Sequence, residues 1–118
     1  MKNAGAWGES RACEYLKRKG YRILERNYSC RFGEIDIIAA NRDYLVFVEV
    51  KMRKNAAFAE AKEFVNFTKQ RRVRSAAMQW LGRNETDLQP RFDVIEIYGT
   101  VGMSLRKLDI RHIENAFE

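Results

Sequence analysis

The run Tyr44-Leu45-Val46-Phe47-Val48-Glu49-Val50-Lys51 limits the possible folds more than any other segment of the chain. Val and aromatic side chains dominate it, which suits a pleated, buried surface better than a helix. Across only Asn41-Arg42-Asp43 lies a second apolar run, from about Glu34 to Ala40. Strands joined this tightly pair antiparallel. Tyr21 to Tyr28 reads as one more strand, and Ser29-Cys30-Arg31-Phe32-Gly33 is the turn that follows it. The three strands form a meander.

Helices flank the meander in sequence. From about Gly5 to Lys19, Ala6, Cys13 and Leu16 recur at helical spacing, Lys17, Arg18 and Lys19 suit the last turn, and Gly20 ends the element. A second helix is predicted from about Asn66 to Arg83, with Gln70, Val73, Ala77 and Leu81 on one face and Asn66 or Thr68 as its cap. Residues 52 to 63 are polar and read as a loop or short helical turn. Arg91 to Tyr98 is a strand that a strand-helix-strand crossover lays parallel to the third. Leu105 to Arg111 adds an edge strand, and His112 to Glu118 is left as a tail. The order is α-β-β-β-α-β-β, a mixed α/β sandwich.

At 118 residues the chain has room for one core, so it is expected to be a single domain over its length. An apolar share of 46% is ordinary for a globular protein. No apolar run approaches the roughly 20 residues of a membrane span, and Met1-Lys2-Asn3-Ala4-Gly5 lacks the apolar core of a secretory signal, so a cytoplasmic protein is expected. Cys13 and Cys30 have neither the spacing nor the histidine companions of a zinc site. Twenty-two Lys and Arg against sixteen acids leave a net charge of +6, which favours a polyanionic partner.

Five polar residues stand where chemistry rather than packing would put them. A period of two places Glu49 and Lys51 on one face of their strand and Val48 and Val50 on the other. Asp36 lies in the adjoining strand between Ile35 and Ile37. A hairpin symmetric about Asn41-Arg42 sets Asp36 opposite Tyr44 to Phe47, so a bulge or splay is needed to bring it to Glu49. Two carboxylates suit a hard cation such as Mg²⁺ or Mn²⁺, and Lys51 is placed to orient a water or offset charge. An exposed Glu-x-Lys pair is also an ordinary feature of a half-solvated strand. Glu9 sits on the apolar stripe of the first helix, where an acid must pair, bind a metal or rest at the rim. Gln70 holds the same kind of position on the second helix.

With Gly8-Glu9 upstream, the runs Gly33-Glu34-Ile35-Asp36-Ile37-Ile38 and Val46-Phe47-Val48-Glu49-Val50-Lys51-Met52-Arg53, and Lys69-Gln70-Arg71-Arg72 and Arg91-Phe92-Asp93-Val94 downstream, the chain resembles the YraN-like family of small bacterial proteins over nearly its whole length. That family is similar to archaeal-type Holliday junction resolvases and falls in the PD-(D/E)XK, or restriction-endonuclease-like, nuclease superfamily. The resemblance implies that core fold. It implies Asp36 and Glu49 as metal ligands, Lys51 as the water-orienting residue of a (D/E)-x-K motif, and Glu9 and Gln70 as supporting groups. A homodimer is implied by the resolvases alone.

Positive charge flanks these positions. Lys69, Arg71, Arg72 and Arg74 crowd the start of the second helix, and Arg53 and Lys54 follow the third strand. Lys and Arg of this kind position a phosphate backbone without reading sequence. The expectation is a metal-dependent endonuclease acting on DNA, with a non-catalytic nucleic-acid-binding protein of the same fold as the alternative. His112 and the two tryptophans, Trp7 and Trp80, read as bystanders of the chemistry.

Overall fold

The computed structural model describes residues 4–53 and 66–118. The elements are α1 (Ala4–Arg18), β1 (Arg22–Cys30), β2 (Gly33–Ala40), β3 (Tyr44–Arg53), α2 (Phe67–Arg83), β4 (Gln89–Tyr98), a 3-10 turn (Leu105–Lys107) and β5 (Asp109–Phe117). One five-stranded sheet runs in the order β1-β2-β3-β4-β5. Only β3 and β4 pair parallel, and the other three pairs are antiparallel. This is the α/β architecture and element order read from the sequence.

The middle strand is buried because its residues serve two cores. Ile37, Ala39, Val46, Val48, Ile95 and Ile97 face α1, which contributes Ala12, Cys13 and Leu16. Ile38, Ala40, Leu45 and Phe47 face α2, which contributes Val73, Ala76, Ala77 and Trp80. Three layers result. The helix ends follow local chemistry: the Asn66 side chain caps α2 by accepting from Lys69 N–H at 2.8 Å, and Gly20, at φ 97°, terminates α1.

Three expectations change. The last strand starts later and runs on through the stretch read as a tail, while Leu105–Lys107 forms a 3-10 turn. Of the loop or short helical turn expected over residues 52 to 63, Met52 and Arg53 instead extend β3 beside Ile97 and Tyr98, and the rest of that stretch lies outside the described residues. His112, expected near a frayed end, lies within β5.

Beyond its pairing with β4, β5 is held by a buried polar network whose members apolar periodicity does not join. Asp93 is fully buried on the α1 side and takes a two-pronged pairing from Arg91, with Nε to Oδ1 at 2.9 Å and Nη2 to Oδ2 at 2.8 Å. His112 Nε2 meets Oδ2 at 2.7 Å, and Asn115 N–H donates to Oδ1 at 3.0 Å. The other ring nitrogen of His112 lies 3.1 Å from the Tyr15 hydroxyl of α1, while Arg91 also donates to the Tyr21 hydroxyl at 2.7 Å. Burial alone would raise the Asp93 carboxyl, but the bonds from His112, Arg91 and Asn115 outweigh it and hold the group below its ordinary range. The stability it lends is therefore present above the unfolded carboxylate value, near ~4, and is lost as pH falls through its depressed folded value.

His112→Ala removes one bond to a buried carboxylate and one to a tyrosine. It should lower the unfolding free energy by about 1–3 kcal/mol in urea titration near pH 7, and an unchanged midpoint would show that the network carries none of β5's attachment.

Candidate functional site

The β2-β3 pairing runs Ala40↔Leu45, Ala39↔Val46, Ile38↔Phe47 and Ile37↔Val48. One further step brings Asp36 level with Glu49, so the hairpin is centred one residue later than the symmetric reading, between Arg42 and Asp43, and the β2-β3 pairing needs no bulge. The ladder ends at that step. In place of a backbone partner, Val50 N–H donates to Asp36 Oδ2 at 2.8 Å, which fixes the carboxylate against β3.

A break in β1 accompanies it. Arg26 pairs with Ile37 and Tyr28 with Ile35, and between them Asn27 takes φ 53°, in the left-handed region. Ile37 packs in the core under α1, yet Ile35 and Tyr28 pack in the core under α2. The hairpin thus exchanges its faces at the level of Asp36. Its far end folds toward α2 until Gly33 abuts the helix, where an added Cβ would come within 3.1 Å of Arg72 Cβ and 3.2 Å of its carbonyl oxygen. Any larger residue at that position would press on the helix backbone and require it to give slightly.

Glu49 is 7% exposed, and its Oε2 lies 3.0 Å from Lys69 Nζ and 3.6 Å from Lys51 Nζ. Lys69, expected as a phosphate contact, is therefore a member of the acid cluster, carried there by the first turn of α2. Among the described residues, the contacts of Asp36 fall on Oδ2 and those of Glu49 on Oε2, leaving one oxygen of each carboxylate for another ligand. Burial first, then the charge of Glu49, raise the Asp36 carboxyl to about 7; Glu9 adds to the rise, while the Val50 bond and Lys69 oppose it. Glu9 is half-buried on α1 and its charge is felt at Asp36, so it acts on the same point. Gln70 is half-buried, one residue beyond Lys69.

The basic residues divide. Arg71 and Arg72 are exposed on α2. Arg74 donates to the Glu118 carbonyl at 2.6 Å and so helps dock the end of β5. Arg53 ends β3, half-buried and level with Tyr98. Lys54 lies outside the described residues. The second polar cluster, Arg91, Asp93 and His112, lies across the sheet on the α1 side. Its trace in the sequence was Arg91 and Asp93 falling in phase with Ile95 and Ile97, two charges on an otherwise apolar face.

Residues 8–97 match the model of the family described as Uncharacterised protein family UPF0102. The chain belongs to the UPF0102 family. A UPF0102 protein of Alkaliphilus oremlandii is 50% identical over 119 residues, covering 98% of both chains. Those of Caldanaerobacter subterraneus and Geobacter metallireducens are 43% and 45% identical, covering 98% and 99% of this chain and 95% and 93% of their own. Every position of the acid cluster lies inside the matched UPF0102 segment. The family membership agrees with the YraN-like resemblance.

Chemically, the cluster can hold a proton or a cation between two crowded carboxylates. Among the described residues no three of His, Cys, Asp and Glu form a metal cage. Two carboxylate oxygens nonetheless fit a hard divalent ion that keeps several waters. Without such an ion, Asp36 holds its proton in the folded state up to about pH 7, whereas the unfolded chain releases it near the usual carboxylate value. Stability from this group is therefore fully present below about pH 4 and lost as pH rises toward 7. Asp36→Asn should leave urea stability in chelator nearly unchanged near pH 4 and raise it by about 1–3 kcal/mol near pH 8. Equal stability of the two proteins near pH 8 would contradict the crowding of Asp36.

Proposed function

We propose that the protein is a metal-dependent endonuclease that hydrolyses phosphodiester bonds in DNA, with Asp36 and Glu49 holding Mg²⁺ or Mn²⁺. The observation that carries this reading is Asp36 set level with Glu49, its carboxyl pushed up to about 7 by burial and by its neighbour while two ammonium groups attend Glu49. An acid kept in that state is poorly served by its own protein. A divalent ion relieves it.

When bound, such an ion lowers the pKa of a water and offsets charge on a phosphoryl group. The chain's own groups supply the rest. Lys51, on the same strand face as Glu49, orients the attacking water or takes up developing negative charge. Lys69 reaches the cluster from α2 and is positioned to meet a phosphate oxygen arriving beside Glu49. Glu9 adds negative charge on the α1 side, and Gln70, next to Lys69, offers an amide. Arg71 and Arg72 continue the positive surface from the cluster along α2, where a backbone is held by charge and not by base sequence. A module that only binds nucleic acid gains nothing from carboxylates next to phosphate, which is why hydrolysis is favoured over simple binding.

Calorimetric titration of Mg²⁺ and Mn²⁺, followed by incubation with labelled junction, flap and single-stranded DNAs, tests the proposal. Asp36→Ala/Glu49→Ala should abolish metal binding and cleavage, and Lys51→Ala should keep metal binding while slowing cleavage by roughly 10²-fold or more. Salt-sensitive binding that ignores chelator, with no cleavage, would replace this reading with a non-catalytic nucleic-acid-binding protein.

A further inference from the structure

The pairing Cys30↔Gly33 closes the β1-β2 hairpin on a two-residue turn, with Arg31 and Phe32 at its corners. The turn's backbone does not select these two residues, because neither takes the positive φ that calls for Asn, Asp or Gly in a hairpin turn. Packing does not account for them either. Phe32 is 39% exposed and belongs to neither core cluster, and the Arg31 guanidinium carbon lies 4.9 Å from its ring centroid.

The turn is also aimed. Gly33 meets α2 at Arg72, one helical turn from Lys69, whose ammonium touches Glu49. The aromatic ring and its guanidinium are therefore tethered through α2 to the acid cluster, with the exposed Arg72 at the point where the turn meets the helix.

Resting on the nuclease reading above, we infer that the Arg31-Phe32 turn is a strand-holding element that stacks an unpaired base of the nucleic-acid substrate on Phe32. A base inside a duplex is already stacked on both faces, so a ring on a narrow turn gains contact only with single-stranded, frayed or branched substrate. Arg31 supplies a phosphate contact beside the ring. The substrate class is then DNA with unpaired bases next to the scissile strand, in preference to continuous duplex.

Fluorescence anisotropy in chelator, at low salt, with labelled single-stranded, forked and blunt duplex DNA separates the possibilities. Phe32→Ala should weaken single-stranded and forked binding by roughly tenfold and leave duplex binding within about twofold. Phe32→Trp should restore the loss, and Met78→Ala, which removes another exposed apolar side chain further along α2, should change nothing. Wild-type affinity of Phe32→Ala for every substrate, or an equal loss on all three, overturns this inference and leaves the nuclease reading standing. Failure of the wild type to bind any of the DNAs overturns both.

Discussion

The antiparallel pairing of Ala40 with Leu45 fixes where Asp36 and Glu49 meet. Because strand residues alternate faces, a slip of one residue in this hairpin would send Asp36 to the wrong level and turn its neighbours inside out. The slip is opposed from both sides of the sheet, since Ile37, Ala39, Val46 and Val48 are committed to one core and Ile38, Ala40, Leu45 and Phe47 to the other. Two apolar cores thus position a pair of carboxylates that neither core contains. The cost falls on Asp36, which is left crowded and partly dehydrated at the end of the ladder.

Much of this was legible in the chain. The β-rich run at Tyr44, the short turn before it and the helical spacing around Val73 carry the order of elements and the parallel return of β4, because they reflect burial on faces of known period. Asp36, Glu49 and Lys51 stood out for the same reason, as polar residues beside a strongly apolar pattern. Lys69 could be seen as charge but not as a member of the acid cluster. Its role depends on how far the first turn of α2 sits from β3, and that distance is set by contacts such as Gly33 against Arg72, distant in sequence.

The network around Asp93 was hidden for a different reason. Its members come from α1, β4 and β5 and from Tyr21, three residues past α1, and beyond the phase of Arg91 and Asp93 with Ile95 and Ile97 no spacing joins them. The short run from His112 to Phe117 looks frayed because its strand character is supplied by pairing with β4 and by bonds to a buried acid, and its own propensity contributes little. The two polar clusters also differ in how completely they are satisfied. Around Asp93 donors converge on both oxygens, which suits a fixed structural joint. Around Asp36 like charges are brought together, an arrangement that favours an incoming cation.

The left-handed backbone at Asn27 has a consequence for which sequences can carry this fold. Strand positions normally reward Val, Ile or Thr, yet a β-branched side chain is the poorest occupant of that conformation, and asparagine, aspartate and glycine are the residues that tolerate it. At this exposed site nothing in the packing restricts side-chain size. The alphabet at position 27 is therefore short for a backbone reason alone. A substitution that improves β1 as an isolated strand would oppose the exchange of faces that carries Ile35 and the hairpin tip over to α2.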